Sequence, residues 1–260
     1  MSRAMQTTTS TKEVHVNYTI GQAFISEVLG TGMLILLGGG VVANVILPRN
    51  KGFNGGWIVI TFGWCIAVMA GVYVAFKSGG YLNPAVVLGV WASGAKTLAP
   101  GIDMTATNAL LFIVAELLGA FIGAVLVYLA YKKHFDEDAD PATKLGVFST
   151  GPAIRSYAWN FITEVLGTFV LVFWVLVSGK TPAQIGPLAV SLIVLGIGLS
   201  LGGPTGYAIN PARDLGPRIA HFVLPIRGKG SSDWAYSWVP VFGPIVGGVL
   251  AGLTGHWFVG

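Results

Sequence analysis

The sequence predicts an all-α membrane protein with six transmembrane helices plus two re-entrant half-helices, arranged as an inverted repeat. Three observations carry that prediction. Of 260 residues, 53% are hydrophobic and 10% are charged, with a mean hydropathy of +0.72. An ordinary soluble protein carries about 25% charged residues. Six apolar stretches, 21–43, 57–76, 108–131, 157–178, 184–202 and 235–257, are long enough to cross a hydrocarbon core of about 30 Å. Two further apolar stretches, 84–92 and 211–222, are too short to cross, and each begins at Asn-Pro-Ala.

Residues 1–20 are polar, repeat Thr and Ser, and lack the apolar core of a cleavable signal peptide. They read as a disordered tail. The spans then fall into two halves, 21–131 and 157–260. Between them lies a polar connection, 132–156, that carries Asp136, Glu137, Asp138 and Asp140. The halves are related: Ala23-Phe-Ile-Ser-Glu-Val-Leu-Gly-Thr31 matches Asn160-Phe-Ile-Thr-Glu-Val-Leu-Gly-Thr168 at seven of nine positions. Gly119-Ala-Phe-Ile-Gly-Ala124 has a looser partner in Gly243-Pro-Ile-Val-Gly-Gly248. Each half holds three spans and one half-helix. Three is odd, so the second half starts on the opposite side of the bilayer, and a site is expected where the broken elements meet.

The net charge of +4 is small and its basic residues are scattered, which gives no nucleic-acid surface. The single cysteine, Cys65, excludes an intramolecular disulfide and a cysteine-based zinc site. The few His residues and the one Cys form no nucleophile or metal spacing. No enzyme, cofactor or metal is expected.

Each Asn-Pro-Ala reads as a helix start. Asn83 and Asn210 are strong N-cap residues; Pro84 and Pro211 suit the first helical position, followed by Ala85 and Ala212. Roughly ten residues make about 15 Å of helix, half the core. Two such half-helices entering from opposite faces meet at the midplane with their positive ends together. The amide N–H groups of the two Asn then turn into a passage, where they donate to a water or hydroxyl oxygen. The segments before them, Ser78, Gly79, Gly80, Tyr81 and Leu82, and Thr205, Gly206, Ala208 and Ile209, are non-helical at membrane depth. Such backbone is tolerated where it lines a watery cavity, so their carbonyls are expected to form an acceptor ladder opposite apolar side chains. Arg213 lies three residues past Asn210, and an arginine within a membrane is functional by default. Asp214 reads as structural, in the first turns of its helix.

Glu27 and Glu164 are buried acids at equivalent places in the repeat. Their symmetry points to scaffold groups that hydrogen-bond the irregular loops. A second reading makes Glu27, Glu116 and Glu164 proton carriers of a secondary transporter driven by a pH gradient.

With two Asn-Pro-Ala boxes on an inverted six-span repeat, the chain from Gly21 to Phe258 resembles the major intrinsic protein family, the aquaporins and glycerol facilitators. Asp214 and Val239-Pro240-Val241 resemble the aquaglyceroporin branch. The resemblance implies a passive channel for glycerol and related small uncharged solutes, also water, with protons and ions excluded. It also implies a homotetramer in the cell membrane, one pore per protomer, a cytoplasmic N-terminus and an extracellular 132–156 loop. The distribution of Lys and Arg alone points the N-terminus the other way. A selectivity filter is implied at Gly198, Tyr207 and Arg213, with a fourth member at Trp64, or at Phe62 or Gly63 under other alignments. In that filter Gly198 leaves room where water-selective relatives carry a bulkier side chain; a water-selective pore is the alternative. The chain departs from the family at Tyr81, where His is usual, and at Glu116, where Gln is usual. The physiological solute is left open among glycerol, dihydroxyacetone, urea, peroxide and lactic acid.

Overall fold

The computed structural model describes residues 16–259. Most of the tail expected over 1–20 lies outside the described residues. Its last five residues are ordered. Tyr18 N–H donates to the Pro100 carbonyl, and Thr19 and Gln22 form a reciprocal capping box at the start of α1.

The chain runs through α1 (Ile20–Ile46), α2 (Gly56–Val74), α3 (Pro84–Ala92), a small hairpin of β1 (Thr97–Ala99) and β2 (Ile102–Asp103), and α4 (Ala106–Ala130). Two short helices follow, α5 (Lys132–Phe135) and α6 (Pro141–Gly146), within the stretch expected as a plain loop. The second half holds α7 (Tyr157–Ser178), α8 (Pro187–Leu201), α9 (Pro211–Val223) and α10 (Trp238–Val259). Among the described residues five helices, α1, α2, α4, α7 and α10, are long and apolar enough to cross a membrane. The sixth, α8, is shorter than the 184–202 expected for it. Gly186 has a left-handed φ of 56° and Pro187 starts the helix. Its 15 residues rise about 22 Å.

The two halves pack alike. In the first, α1 lies against α2 and α4; in the second, α7 lies against α8 and α10. Each half-helix crosses over to the other half, α3 onto α10 and α9 onto α4. Small residues make these approaches close, as is usual between membrane helices. A methyl group on Gly119 or Gly123 would overlap the α1 carbonyls of Val28 and Gly32, and one on Gly248 would overlap the Ala85 carbonyl of α3. Large apolar side chains such as Ile25, Leu29, Leu118, Leu129, Leu166 and Leu250 face outward. That polarity inversion suits a lipid surround, and the chain is a multi-pass membrane protein.

Candidate functional site

The half-helices begin where the sequence puts their starts. Asn83 and Asn210 have extended backbones at the N-caps of α3 and α9. Asn83 Oδ1 accepts from Ala85 N–H at 2.9 Å, and Asn210 Oδ1 from Ala212 and Arg213 N–H at 2.9 and 3.2 Å. Their amide nitrogens cross over. Asn83 Nδ2 donates to the Ile209 carbonyl and Asn210 Nδ2 to the Leu82 carbonyl, both at 2.8 Å. The two N-termini therefore meet and clip each other together. The sequence reading aimed both amide hydrogens of each Asn into the passage. One of each pair is spent on the opposite loop, which leaves a single hydrogen per side chain.

The loops before the two boxes are built on one plan. Glu27 of α1 accepts from Tyr81 and Leu82 N–H at 3.0 and 2.8 Å. Glu164 of α7 accepts from Ala208 and Ile209 N–H at 3.0 and 2.8 Å. A trans peptide points its carbonyl away from its N–H. With those N–H groups turned to the glutamates, the carbonyls of Gly80, Tyr81, Tyr207 and Ala208 point the other way. The twist needs left-handed backbone at Gly79, Gly80 and Leu82, and at Gly206, Tyr207 and Ile209. Leu82, Tyr207 and Ile209 are strained there, at about 1–3 kcal/mol each.

A cavity of about 70 Å³ runs along this seam, room for a short file of waters. Gly80, Tyr81, Leu82, Asn83, Gly206, Tyr207, Ala208, Ile209, Asn210 and Arg213 line it, with Leu34, Val68, Val72, Val86, Leu171, Val190 and Val194. One wall is backbone and amide, and the other is aliphatic. Ser78, Gly79 and Thr205, expected in the acceptor ladder, do not line it. Ser78 is fully buried and its hydroxyl donates to the Ala75 carbonyl.

At one end Trp64, Tyr207 and Arg213 line both the cavity and a second hollow of about 210 Å³. The Arg213 guanidinium lies 4.2 Å from the Trp64 ring centre, a cation–π contact that is stronger for being shielded from water. Arg213 Nη1 also donates to the Phe148 carbonyl at 3.1 Å. Of the three second-helix alternatives, Trp64 is the one at the cavity. Phe62 is 52% exposed on the outside, and Gly63 faces Val41. Gly198 differs from expectation. Its Cα does not open onto the cavity, because the Tyr207 ring lies over it, 2.8 Å from where a Cβ would stand.

Asp214 is fully buried; its Oδ2 accepts from Thr150 N–H and hydroxyl, each at 2.8 Å, and its Oδ1 from Arg218 Nε at 2.8 Å. Sequence reasoning assigned no role to Arg218 or Trp57. The i,i+4 spacing of Asp214 and Arg218 was the available signal for the first; nothing marked the second. At the other end of the cavity Tyr81 donates its hydroxyl to the Leu98 carbonyl at 2.9 Å and sets its ring edge-on to Phe112.

Glu116 of α4 is fully buried, and neither carboxyl oxygen has a hydrogen-bond partner among the described residues. A lone carboxyl is a costly group to bury, more so when it ionises. Glu116→Gln is expected to raise the melting temperature in detergent by about 2–4 °C, the shift that ~1 kcal/mol produces in a chain of this size. A lowered melting temperature would contradict this.

The Major intrinsic protein family model matches residues 14–254. The chain is 52% identical to the probable glycerol uptake facilitator protein of Thermotoga maritima over 239 residues, covering 90% of this chain and 98% of that one. It is 53% identical to glycerol uptake facilitator protein 3 of Lactiplantibacillus plantarum, covering 88% and 93%. Its fold is similar to the X-ray structure of the aquaglyceroporin from Plasmodium falciparum, with a TM-score of 0.79, 31% identity, and coverage of 93% and 97%. With paired asparagine-led half-helices meeting beside a lined cavity, and a family match over nearly its whole length, the chain belongs to the major intrinsic protein family.

Proposed function

We propose that the chain is a passive channel for glycerol and related small uncharged solutes, with water, and that it excludes ions and protons. One observation carries this reading: the reciprocal Asn83–Asn210 clip lines a cavity with a polar backbone wall and an aliphatic wall. A polyol has that same two-sidedness. Its hydroxyls turn to the carbonyls of Gly80, Tyr81, Tyr207 and Ala208, and its CH groups to the valine and leucine side. The solute sheds its water, and these acceptors, the free amide hydrogens of the two Asn, and Arg213 replace the lost hydrogen bonds. Nothing is chemically changed, and the gradient drives flow. The positive ends of α3 and α9, together with Arg213, repel cations and turn passing waters away from a continuous proton line. The relatives named for glycerol uptake support the solute class.

In this reading Trp64, Tyr207 and Arg213 form the filter, and Gly198 acts by seating the Tyr207 ring. Glu27, Glu164 and Asp214 are scaffold groups. The chain sits in the cell membrane as a homotetramer, with the N-terminus cytoplasmic and 132–156 outside. The transporter reading finds less support, since each oxygen of Glu27 and of Glu164 already holds a backbone N–H. The ring over Gly198 favours a narrower aperture and keeps a water-selective pore as the second reading.

Stopped-flow light scattering on proteoliposomes separates these. A glycerol channel re-swells the vesicles after a glycerol step, whereas a water-selective pore only shrinks them, and a proton-coupled carrier accumulates glycerol uphill under a pH gradient. Gly198→Leu drives the Tyr207 ring into the passage. It is expected to lower glycerol permeability at least about tenfold, ~1.4 kcal/mol of added barrier. Unchanged glycerol flux in both Gly198→Leu and Arg213→Ala would remove the filter assignment.

A further inference from the structure

Tyr207 stands where the cavity meets the second hollow and lines both, yet little of its own chemistry holds it there. Its hydroxyl has no hydrogen-bond partner among the described residues. Its backbone stands at φ 38°, where a bulky L-residue gains nothing. The ring is fixed by what surrounds it. It lies on Gly198 and Gly202 of the α8 end, where any side chain would overlap it. Against it stands the indole of Trp57, edge-on with ring centres 5.7 Å apart. Trp57 is itself tied down, because its Nε1–H donates to the Gly198 carbonyl at 2.9 Å. One residue of α2 therefore holds the glycine seat by a hydrogen bond and presses the ring onto it by packing. It does so from the outer hollow, which it lines together with Trp64, Tyr207 and Arg213.

We infer that Trp57 is a positioning residue that sets the width of the constriction by holding the Tyr207 ring, and so decides how bulky a solute can pass. The inference rests on the reading that the cavity is the solute path. A smaller residue at 57 leaves space beside the ring on the side of the second hollow, away from the cavity that the half-helices border. The ring then swings back and the aperture widens. An aromatic residue without the indole N–H keeps the packing edge but releases the Gly198 carbonyl, so its effect is intermediate. Glycerol, which already fits, gains little, while a solute one carbon unit longer gains most.

The test compares glycerol with a four-carbon polyol, erythritol, in proteoliposomes of the full chain. Trp57→Ala is expected to raise the erythritol-to-glycerol permeability ratio on the order of tenfold, the discrimination that one carbon unit commands in a close-fitting site. Trp57→Phe gives a smaller rise. Tyr207→Ala reproduces the rise, and the double variant adds nothing to it, as two residues acting through one ring require. The proposal is overturned if Tyr207→Ala raises the ratio while Trp57→Ala leaves it unchanged. It is also overturned if both Trp57 variants lower the two permeabilities alike, which marks a merely structural role. A Tyr207→Ala protein with the unaltered ratio removes the constriction from Tyr207 and the proposal with it. An unaltered protein that passes no glycerol overturns the conduit reading instead.

Discussion

Arg218→Ala is expected to cost about 3–5 kcal/mol and to be among the most damaging single changes in the chain. Arg218 is fully buried and all five of its N–H groups are used. Nε and Nη2 grip the two oxygens of Asp214 at 2.8 and 3.1 Å. Nη2 also donates to the Thr150 carbonyl at 3.0 Å, and Nη1 to the carbonyls of Ser232 and Asp233 at 2.7 and 3.1 Å. The planar guanidinium thus ties α9 to two separate connecting segments. Removing it leaves the Asp214 carboxylate buried without its counter-charge and orphans the Thr150 and Ser232 carbonyls, while the Asp233 carbonyl keeps the Tyr236 N–H. A lysine cannot substitute, because its three donors spring from one point and cannot span that fork. Thermal melting in detergent is therefore expected to show a drop of roughly 6–20 °C for Arg218→Ala, at 2–4 °C per kcal/mol. Arg218→Lys should recover little of it. The damage extends to conduction, since the segment held at Thr150 carries the Phe148 carbonyl that receives Arg213. Unaltered melting of Arg218→Ala would show that the network contributes nothing to stability.

Much of this architecture was legible in the residues. Membrane spans announce themselves by length and apolarity, and the Asn-Pro pairs announced two helix starts because cap and first-turn preferences are local physics. The repeat then implied the meeting of the half-helices, and the symmetric acids implied the contacts that Glu27 and Glu164 make. Other features were illegible because they depend on distance in space. Trp57 is seven residues before Trp64, an unremarkable aromatic in an apolar run until α8 brings the Gly198 carbonyl to its indole. The Tyr207 ring covers Gly198 only because the loop turns left-handed at 207, which no propensity predicts for tyrosine. Residues 184–186, Gln-Ile-Gly, were counted with the span because an apolar run follows them, but the left-handed turn at Gly186 delays the helix to Pro187. Ser78 and Thr205 were counted with the ladder because they precede it in sequence. The hydrogen bond from the Ser78 hydroxyl to Ala75 turns that side chain into the body of the protein instead.

Glu164→Gln is expected to lower both conduction and stability, and the comparison with Glu27→Gln tests the repeat itself. The carboxylate of Glu164 receives two backbone N–H groups, one on each oxygen. Such charge-assisted bonds are worth about 1.5–3 kcal/mol each, and here they restrain Tyr207 and Ile209 in left-handed conformations. A glutamine has one carbonyl oxygen and one NH₂ group. The oxygen takes one N–H, and the NH₂ faces the other as a second donor. One buried N–H loses its acceptor, and the left-handed turn loses half of its restraint. The loop then relaxes, and with it go the carbonyl direction at Tyr207 and Ala208 and the Ile209 carbonyl that receives Asn83. Glycerol permeability in proteoliposomes should fall at least about tenfold, and ~2 kcal/mol of lost stability should lower the melting temperature by about 4–8 °C. Glu27→Gln should do the same, because Tyr81 and Leu82 bond to it in the same way. A glutamate acting as a proton carrier predicts a different pattern: glutamine abolishes pH-gradient-driven uptake while leaving the melting temperature and downhill glycerol flow intact. That outcome in either variant would end the scaffold reading of these two acids.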